Sequence, residues 1–264
     1  MNDGVVWKVK GTFPEIYEHF IPASIHAWAS RLVSLAQPQP GQRVLDVACG
    51  TGLVTHLLAE HVGNAGQVVG YDISPDMIGV ARAKKPNTSI AWQLGDACSL
   101  PFQDHAFDIV ICQLGLMFFQ DRVASLREMY RVLAPQGQLL VLVWGAIERN
   151  PGYLAVAEGF KRHMGEEFGA MIRGSFVLGD DEQMRSLAGA AGLPDAIVQA
   201  ESAQAHFSSV EMLVHGYGAM MQPASDAATL VRLIADVTTT LQPYISNTGL
   251  TFPIEALLMR VIRM

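Results

Sequence analysis

The chain has 264 residues, half of them hydrophobic, with a formal net charge of −7 and a pI near 5.6. That is long and apolar enough to bury a sizeable core, as one large α/β domain or a core domain with a small cap. The acidic balance and the absence of a Lys/Arg run argue against the electrostatic footprint of a nucleic-acid binder, though not against a local basic patch. No apolar run has the length to span a bilayer and no signal peptide opens the sequence, so stable membrane insertion is not expected. Three scattered cysteines, Cys49, Cys98 and Cys112, suggest reduced thiols and a cytoplasmic setting. Neither they nor the eight histidines show metal-ligand spacing, so no metal is expected. A homodimer is left open.

Residues 1–12 read as a frayed or lightly docked tail. From Phe13 to Ala36 the residues Ile16, Phe20, Ile25, Trp28, Leu32 and Leu35 recur at helical spacing, and Pro22 splits the segment into two helical pieces. Gln37-Pro38-Gln39-Pro40-Gly41 then breaks the chain before a first strand.

The stretch around which the rest is arranged follows: Val44-Leu45-Asp46-Val47-Ala48-Cys49-Gly50-Thr51-Gly52, then Leu53-Val54-Thr55-His56-Leu57-Leu58-Ala59-Glu60. It reads as a buried strand, a tight turn and a helix start. Without a Cβ at Gly50 or Gly52 a ligand can approach the main chain, and free N–H groups at the helix start can hold a polar or anionic group. Asp46, just before the turn, can take a cationic partner. The G-x-G-x-x-G of nicotinamide binders is absent. Val68–Ile73 reads as a second parallel strand ending in an acid. Asp72 lies 20 residues past Gly52, a spacing that brings a carboxylate to the two hydroxyls of a bound ribose.

The turn resembles motif I of the class I S-adenosylmethionine-dependent methyltransferases, hydrophobic-hydrophobic-Asp-x-G-x-G-x-G. Within that family it is most similar to the ubiquinone/menaquinone-biosynthesis-type small-molecule enzymes, whose run often reads D-x-x-C-G-T-G. Ala48 stands where the first glycine would be. The resemblance implies S-adenosylmethionine as cofactor, held by Asp46, Ala48, Cys49, Gly50, Thr51, Gly52, Asp72, Ile73, Met77, Asp96, Ala97, Gln113 and Leu114. It places Asp96 against the adenine amino group, which an acceptor-only carboxylate suits, and offers the Ala97 N–H to a ring nitrogen. It also lays the 13–36 segment over cofactor and substrate, so Tyr17, His19 and Phe20 become pocket candidates.

Further along, Ser74-Pro75-Asp76 starts a helix running towards Lys85 and ended by Pro86. Ile90–Leu94 is a third strand and Phe107–Leu114 a buried fourth. The apolar exit of the fourth, with Met117 and Phe118, is expected beside the reactive sulfonium. A helix over Arg122–Leu133, a turn at Ala134–Gly137 and a fifth strand at Leu139–Trp144 follow, with Trp144 a pocket-wall candidate. Residues 148–175 read as helical, Asp180–Ala191 as a helix and Ala196–Phe207 as a sixth strand. Ser208/Ser209 caps a helix through Met221, Asp226–Leu241 makes another, and Ile254–Met264 is the last strand.

These elements define a doubly wound, seven-stranded Rossmann-like α/β sheet whose last strand is antiparallel, inserted between the fifth and sixth. The division expected is a helical cover at 1–36, a cofactor-binding core at 37–208, a helical lid insertion at 209–250 and the final core strand at 251–264. The lid's Met212, Leu213, Leu230, Leu233 and Ile234 are expected to bury against the pocket mouth. The implied reaction is methyl transfer to O, C or N of a small, largely apolar molecule, aromatic or polyketide-like in character. An acceptor phenol or enolisable carbon would want a base, for which His19, His26 and His215 are the candidates. The Asn-Pro-Pro-Tyr signature of base and amide methylation is missing; Gln113-Leu114-Gly115-Leu116 stands there. The alternatives are a carboxylate or halide-type acceptor in the same fold and a catalytically silent cofactor-binding protein. A nicotinamide oxidoreductase is disfavoured by the glycine spacing.

Overall fold

The computed structural model describes Trp7 and residues 11–20, 22–84, 90–193, 195–223 and 225–264, without the side chains of 19 and 22–24. The strands are β1 (Arg43–Val47), β2 (Gln67–Asp72), β3 (Ile90–Leu94), β4 (Phe107–Gln113), β5 (Leu133–Trp144), β6 (Ile197–Phe207), β7 (Ile245–Ser246) and β8 (Gly249–Ile262). The helices are α1 (Phe13–Phe20), α2 (Pro22–Ala36), α3 (Leu53–Val62), α4 (Pro75–Ala83), α5 (Arg122–Arg131), α6 (Pro151–Met164), α7 (Glu166–Gly174), α8 (Asp181–Ala190), α9 (Val210–Met221) and α10 (Ala227–Leu241). Pro22 separates α1 from α2 as the sequence predicts. The expected caps at Ser74 and Ser209 are made, and Asp180 and Asp226, read as first helical residues, prove to be caps too; each accepts the N–H three residues on. The stop predicted at Lys85-Pro86 lies outside the described residues.

The sheet order is β3-β2-β1-β4-β5-β8-β6, with β7 pairing β8 as an added hairpin arm. Strands β1 to β5 pair in parallel and β8 runs antiparallel to β5. This is the predicted Rossmann-like sheet with one short strand more. Its order reverses between β1 and β4, and in open α/β sheets ligands bind outside the carboxyl ends of the strands at such a switch. Buried on both faces, β1, β4 and β5 carry near-continuous Val, Leu and Ile rather than an alternating pattern.

Two boundaries differ from the sequence reading. The helix predicted through Leu133 stops at Arg131, and β5 begins at Leu133 instead of Leu139. Leu133 pairs with Phe107, so the expected turn at Ala134–Gly137 is taken inside the strand, with Gln136 at φ 64° and an irregular register beside it. A ladder bond to β4 outweighs the local preference for a turn. The last strand starts at Gly249 rather than Ile254, because β7 turns back on its first residues. Pro253 therefore lies inside β8, ahead of the section beginning at Ala256 that pairs with β5.

The chain packs into two compact units. The larger holds Trp28–Trp144, Leu178–Glu201 and Ala256–Met264. Its core is the middle of the sheet, with Val44, Leu45, Ile109, Val110, Leu140 and Val141 fully buried. The other comprises the described residues of Met1–Ala27, Gly145–Val177 and Ser202–Glu255. Its core is aromatic: Tyr153 packs edge-on to Phe252 at 5.5 Å, Phe207 stacks on Phe252 at 5.8 Å, and Phe20 lies 5.5 Å from Phe207. Trp7, expected in a frayed tail, is buried beside Phe160 and His215.

In this unit α9 and α10 find partners that the sequence reading did not supply. A Cβ at Gly216 of α9 would stand 1.8 Å from the Phe20 ring, and one at Gly218 would stand 2.1 Å from Trp7. A Cβ at Gly159 of α6 would meet Val237 and Leu233 of α10. Small residues on helices thus admit large ones, and Leu213 and Leu233 are buried in their own unit.

Candidate functional site

Strand β1 ends at Val47, and the chain then turns through Ala48 (φ 56°), Gly50 (φ 54°) and Gly52 (φ 83°) into α3. Left-handed backbone favours glycine, so Ala48 carries the strain that the first glycine of the motif would avoid. The turn is closed by Gly52 N–H to Cys49 O at 2.9 Å and tied to β2 by Cys49 N–H to Tyr71 O at 3.1 Å. The two motif glycines differ in purpose. A Cβ at Gly52 would lie 2.4 Å from Trp92 Cη2, so its bareness makes room for a core ring. A Cβ at Gly50 would meet nothing within 4 Å, so the turn opens outward there. Gly52 caps α3 with no side chain over the first-turn N–H groups.

Asp72 ends β2 with both oxygens engaged. Oδ2 accepts Gly50 N–H at 2.8 Å and Oδ1 accepts Ser74 N–H at 2.9 Å. A carboxylate has about four lone-pair positions, so each oxygen can still accept from a diol. Gly95 N–H bonds Asp72 O at 2.9 Å, which joins the β3 exit to the β2 exit. There Asp96 is exposed, with Oδ1 on Cys98 N–H at 2.9 Å and Oδ2 available, and Ala97 is buried. Ile73 and Leu94, apolar residues at the ends of β2 and β3, are 69% and 53% exposed. Two such side chains bare beside two acids suit a flat ligand with apolar faces and polar edges.

Asp46 is buried and accepts the Thr55 hydroxyl at 2.6 Å. The cationic partner expected for it is not supplied by the described residues. Burial, aided by the charge of Asp72 and opposed by the Thr55 hydrogen bond, pushes its carboxyl up to about 7. Burial also raises the Cys49 thiol, and Cys112 to about 12, so neither is a nucleophile at neutral pH. At the end of β4, Gln113 Oε1 is buried with no hydrogen-bond partner among the described residues, and Leu114 follows at φ 55°. Met117 is buried and Phe118 is 67% exposed in the turn beyond, while Trp144 ends β5 buried. Met77 lies half-buried in the first turn of α4, its N–H on Ser74 Oγ at 3.3 Å.

The structure therefore gathers Asp46, Ala48–Gly52, Asp72, Ile73, Asp96, Ala97, Gln113 and Leu114 at the carboxyl ends of four adjacent strands of one unit. The base and acceptor candidates of the N-terminal helices and α9 belong to the other unit. Tyr17 is half-buried beside Phe13, Phe20 is in the aromatic core, and His26 is exposed on α2. His215 is buried, edge-on to Trp7, with Nε2 3.8 Å from Glu211 Oε1. The His19 side chain lies outside the described residues. Sequence reasoning missed Thr55, Ser74 and Leu94. Thr55 was detectable as a hydroxyl in the first turn after the motif; Ser74 acts here through its main chain, which leaves no residue signal.

The open face at Gly50, the orphaned acceptor of Gln113 and the acids at the ends of β1, β2 and β3 fit a cationic adenosyl ligand. Residues 45–141 match the methyltransferase domain family. The ubiquinone/menaquinone biosynthesis C-methyltransferase UbiE of Xanthomonas campestris is 41% identical over 138 residues, covering 50% of this chain and 54% of that protein. The chain thus spans about half the length of the curated relatives it matches first. The demethylmenaquinone methyltransferase of Listeria monocytogenes is 34% identical over 198 residues, 73% of this chain and 81% of that protein. Among solved structures, phosphoethanolamine N-methyltransferase 2 of Haemonchus contortus, bound to phosphomonomethylethanolamine and S-adenosylhomocysteine, shares the fold with TM-score 0.61 and 20% identity. That likeness covers 97% of this chain and 59% of that one. The fold is a doubly wound α/β sheet with an open turn and strand-end acids at its switch point. The chain belongs to the class I S-adenosylmethionine-dependent methyltransferases of the ubiquinone/menaquinone-biosynthesis type, and S-adenosylmethionine is its cofactor.

Proposed function

We propose that this methyltransferase acts on a carbon or oxygen of an electron-rich aromatic ring, in a small and largely apolar molecule of the quinol type. The observation that carries the reading is the exit from β4. Leu114 to Phe119 holds no charged side chain, it bares Phe118, and its Gly115 lies against Ala48 of the cofactor turn. An apolar ring is favourably buried on such a wall, whereas an ammonium acceptor would be desolvated there beside the Arg122 guanidinium, which donates to Met117 O at 2.9 Å. The names of the two curated relatives agree with this.

The cofactor supplies an activated methyl on a sulfonium. The protein's part in the proposal is to bind and align. Asp72 accepts from the ribose hydroxyls, Asp96 through Oδ2 from the adenine amine, and Ala97 N–H donates to the ring. Ile73 and Leu94 flank the adenine. Gln113 Oε1 accepts from a donor of the methionine end, and the turn Ala48–Gly52, with Met77 and Leu114, shapes the cradle.

The test is an acceptor panel of quinols, phenols, amines and carboxylic acids, followed by S-adenosylhomocysteine release and by mapping the new methyl by NMR. Turnover is expected with quinols or phenols. Turnover confined to amines or carboxylates would overturn the acceptor class and leave the cofactor site standing.

A further inference from the structure

The cofactor turn buries an acid that its surroundings do not neutralise. Asp46 is 1% exposed, at the end of β1. From α3 it receives the Thr55 hydroxyl, and the Thr55 N–H also faces it. From β2 the titratable neighbour is Asp72; from the turn it is the Cys49 thiol and from β4 the Cys112 thiol. Among these groups there is no cation. Asp72 differs in having a backbone N–H on each oxygen. Asp46 is thus the carboxyl of the pair that needs charge brought to it from outside.

The ligands differ in the charge they bring. At neutral pH, S-adenosylmethionine carries one positive charge more than S-adenosylhomocysteine, because the sulfonium has become a thioether; ammonium and carboxylate are common to both. We infer that Asp46 makes the exchange of cofactor for product proton-linked, being a carboxylate in the S-adenosylmethionine complex and a carboxylic acid in the S-adenosylhomocysteine complex. A nearby cation favours the ionised form, and a ligand without that extra charge leaves burial to favour the neutral one. Since burial already holds this carboxyl near neutrality, a modest bias decides its state at physiological pH. Linkage is reciprocal, so rising pH favours the cofactor over the product and Asp46 becomes a determinant of which one the site prefers. The inference rests on the placement of the cofactor at the Gly50 turn.

The experiment is isothermal titration of the full chain with S-adenosylmethionine and with S-adenosylhomocysteine at pH 6, 7 and 8. Each titration is run in phosphate and in Tris, so that buffer ionisation heat counts the protons released. Near pH 7 the cofactor is expected to release up to about one proton more than the product, and the affinity ratio of cofactor to product to rise by up to about tenfold per pH unit. Equal proton counts for the two ligands would overturn the inference. Asp46→Asn should abolish the difference. Thr55→Val, which removes the hydroxyl that stabilises the carboxylate, should move it to higher pH. A difference unchanged in either variant would overturn the assignment to Asp46. Failure of the wild-type protein to bind either ligand would instead strike the cofactor site itself.

Discussion

At the scale of single residues, the two buried acids make opposite demands. Asp72 is held by two backbone donors, and its remaining lone pairs are the ones proposed to accept from the ribose. Asp72→Ala should weaken S-adenosylmethionine and S-adenosylhomocysteine alike, by roughly 1.5–3 kcal/mol for lost charge-assisted hydrogen bonds. Equal dissociation constants for wild type and variant would make the acid a turn residue only. Asp46 carries the larger consequence for stability. Its carboxyl sits at 3.8 when unperturbed and at about 7 in the fold, so the folded state holds the proton more tightly. The stability this gives is fully present below pH 4 and is lost as pH rises to 7, about 4 kcal/mol at the conversion of 1.36 kcal/mol per unit. Other acids, such as Glu128 beside Arg131, are held below their ordinary range and act in the opposite direction. The observable is therefore a difference: ligand-free Asp46→Asn should gain stability relative to wild type between pH 5 and pH 8. Urea denaturation of both proteins at the two pH values measures it, and a constant difference would contradict the ionisation described.

At the scale of elements, helical glycines do work that intrinsic preference hides. Replacing a helix-interior glycine by alanine ordinarily gains up to about 1 kcal/mol. At Gly216 the added Cβ would overlap the Phe20 ring, so Gly216→Ala should instead destabilise by about 1–3 kcal/mol, the usual cost of overpacking. Chemical denaturation gives the sign directly. The same packing bears on the proposed lid. Because α9 and α10 share a core with Phe20, Trp7 and α6, excising 209–242 would bare apolar surface, and single substitutions are the sounder probe.

At the scale of the whole molecule, every side chain assigned to the cofactor comes from the larger unit, and the acceptor candidates Tyr17 and Phe20 come from the other. With all the cofactor side chains in the larger unit, Tyr17→Ala should leave the dissociation constant of S-adenosylhomocysteine at its wild-type value, whatever it does to the acceptor KM. A parallel loss of S-adenosylhomocysteine affinity would place Tyr17 in the cofactor site instead. Positioning of this kind can supply roughly 7–11 kcal/mol of a barrier, so small shifts in acceptor seating should be visible in rate.

The half of the molecule proposed to hold the cofactor was legible along the chain. Strand, glycine turn and helix are contiguous, and Asp46, Gly50, Asp72 and Asp96 each stand at a strand end that hydrophobic patterning reveals. Spacing along the chain therefore maps directly onto neighbouring strands of one parallel sheet. Caps at Ser74 and Ser209 were legible for the same reason, since a cap acts over three residues. Other features depended on residues far apart in the chain. That Gly52 is bare for Trp92 while Gly50 is bare towards open space follows from where β3 lies beside the turn. That β5 begins six residues earlier than its pattern suggests follows from pairing with Phe107. That α9 and α10 bury their apolar faces against Phe20, Trp7 and α6 depends on steric fit, which hydrophobic periodicity does not encode. Periodicity reports that a side chain must leave water; only the tertiary structure decides what it meets when it does.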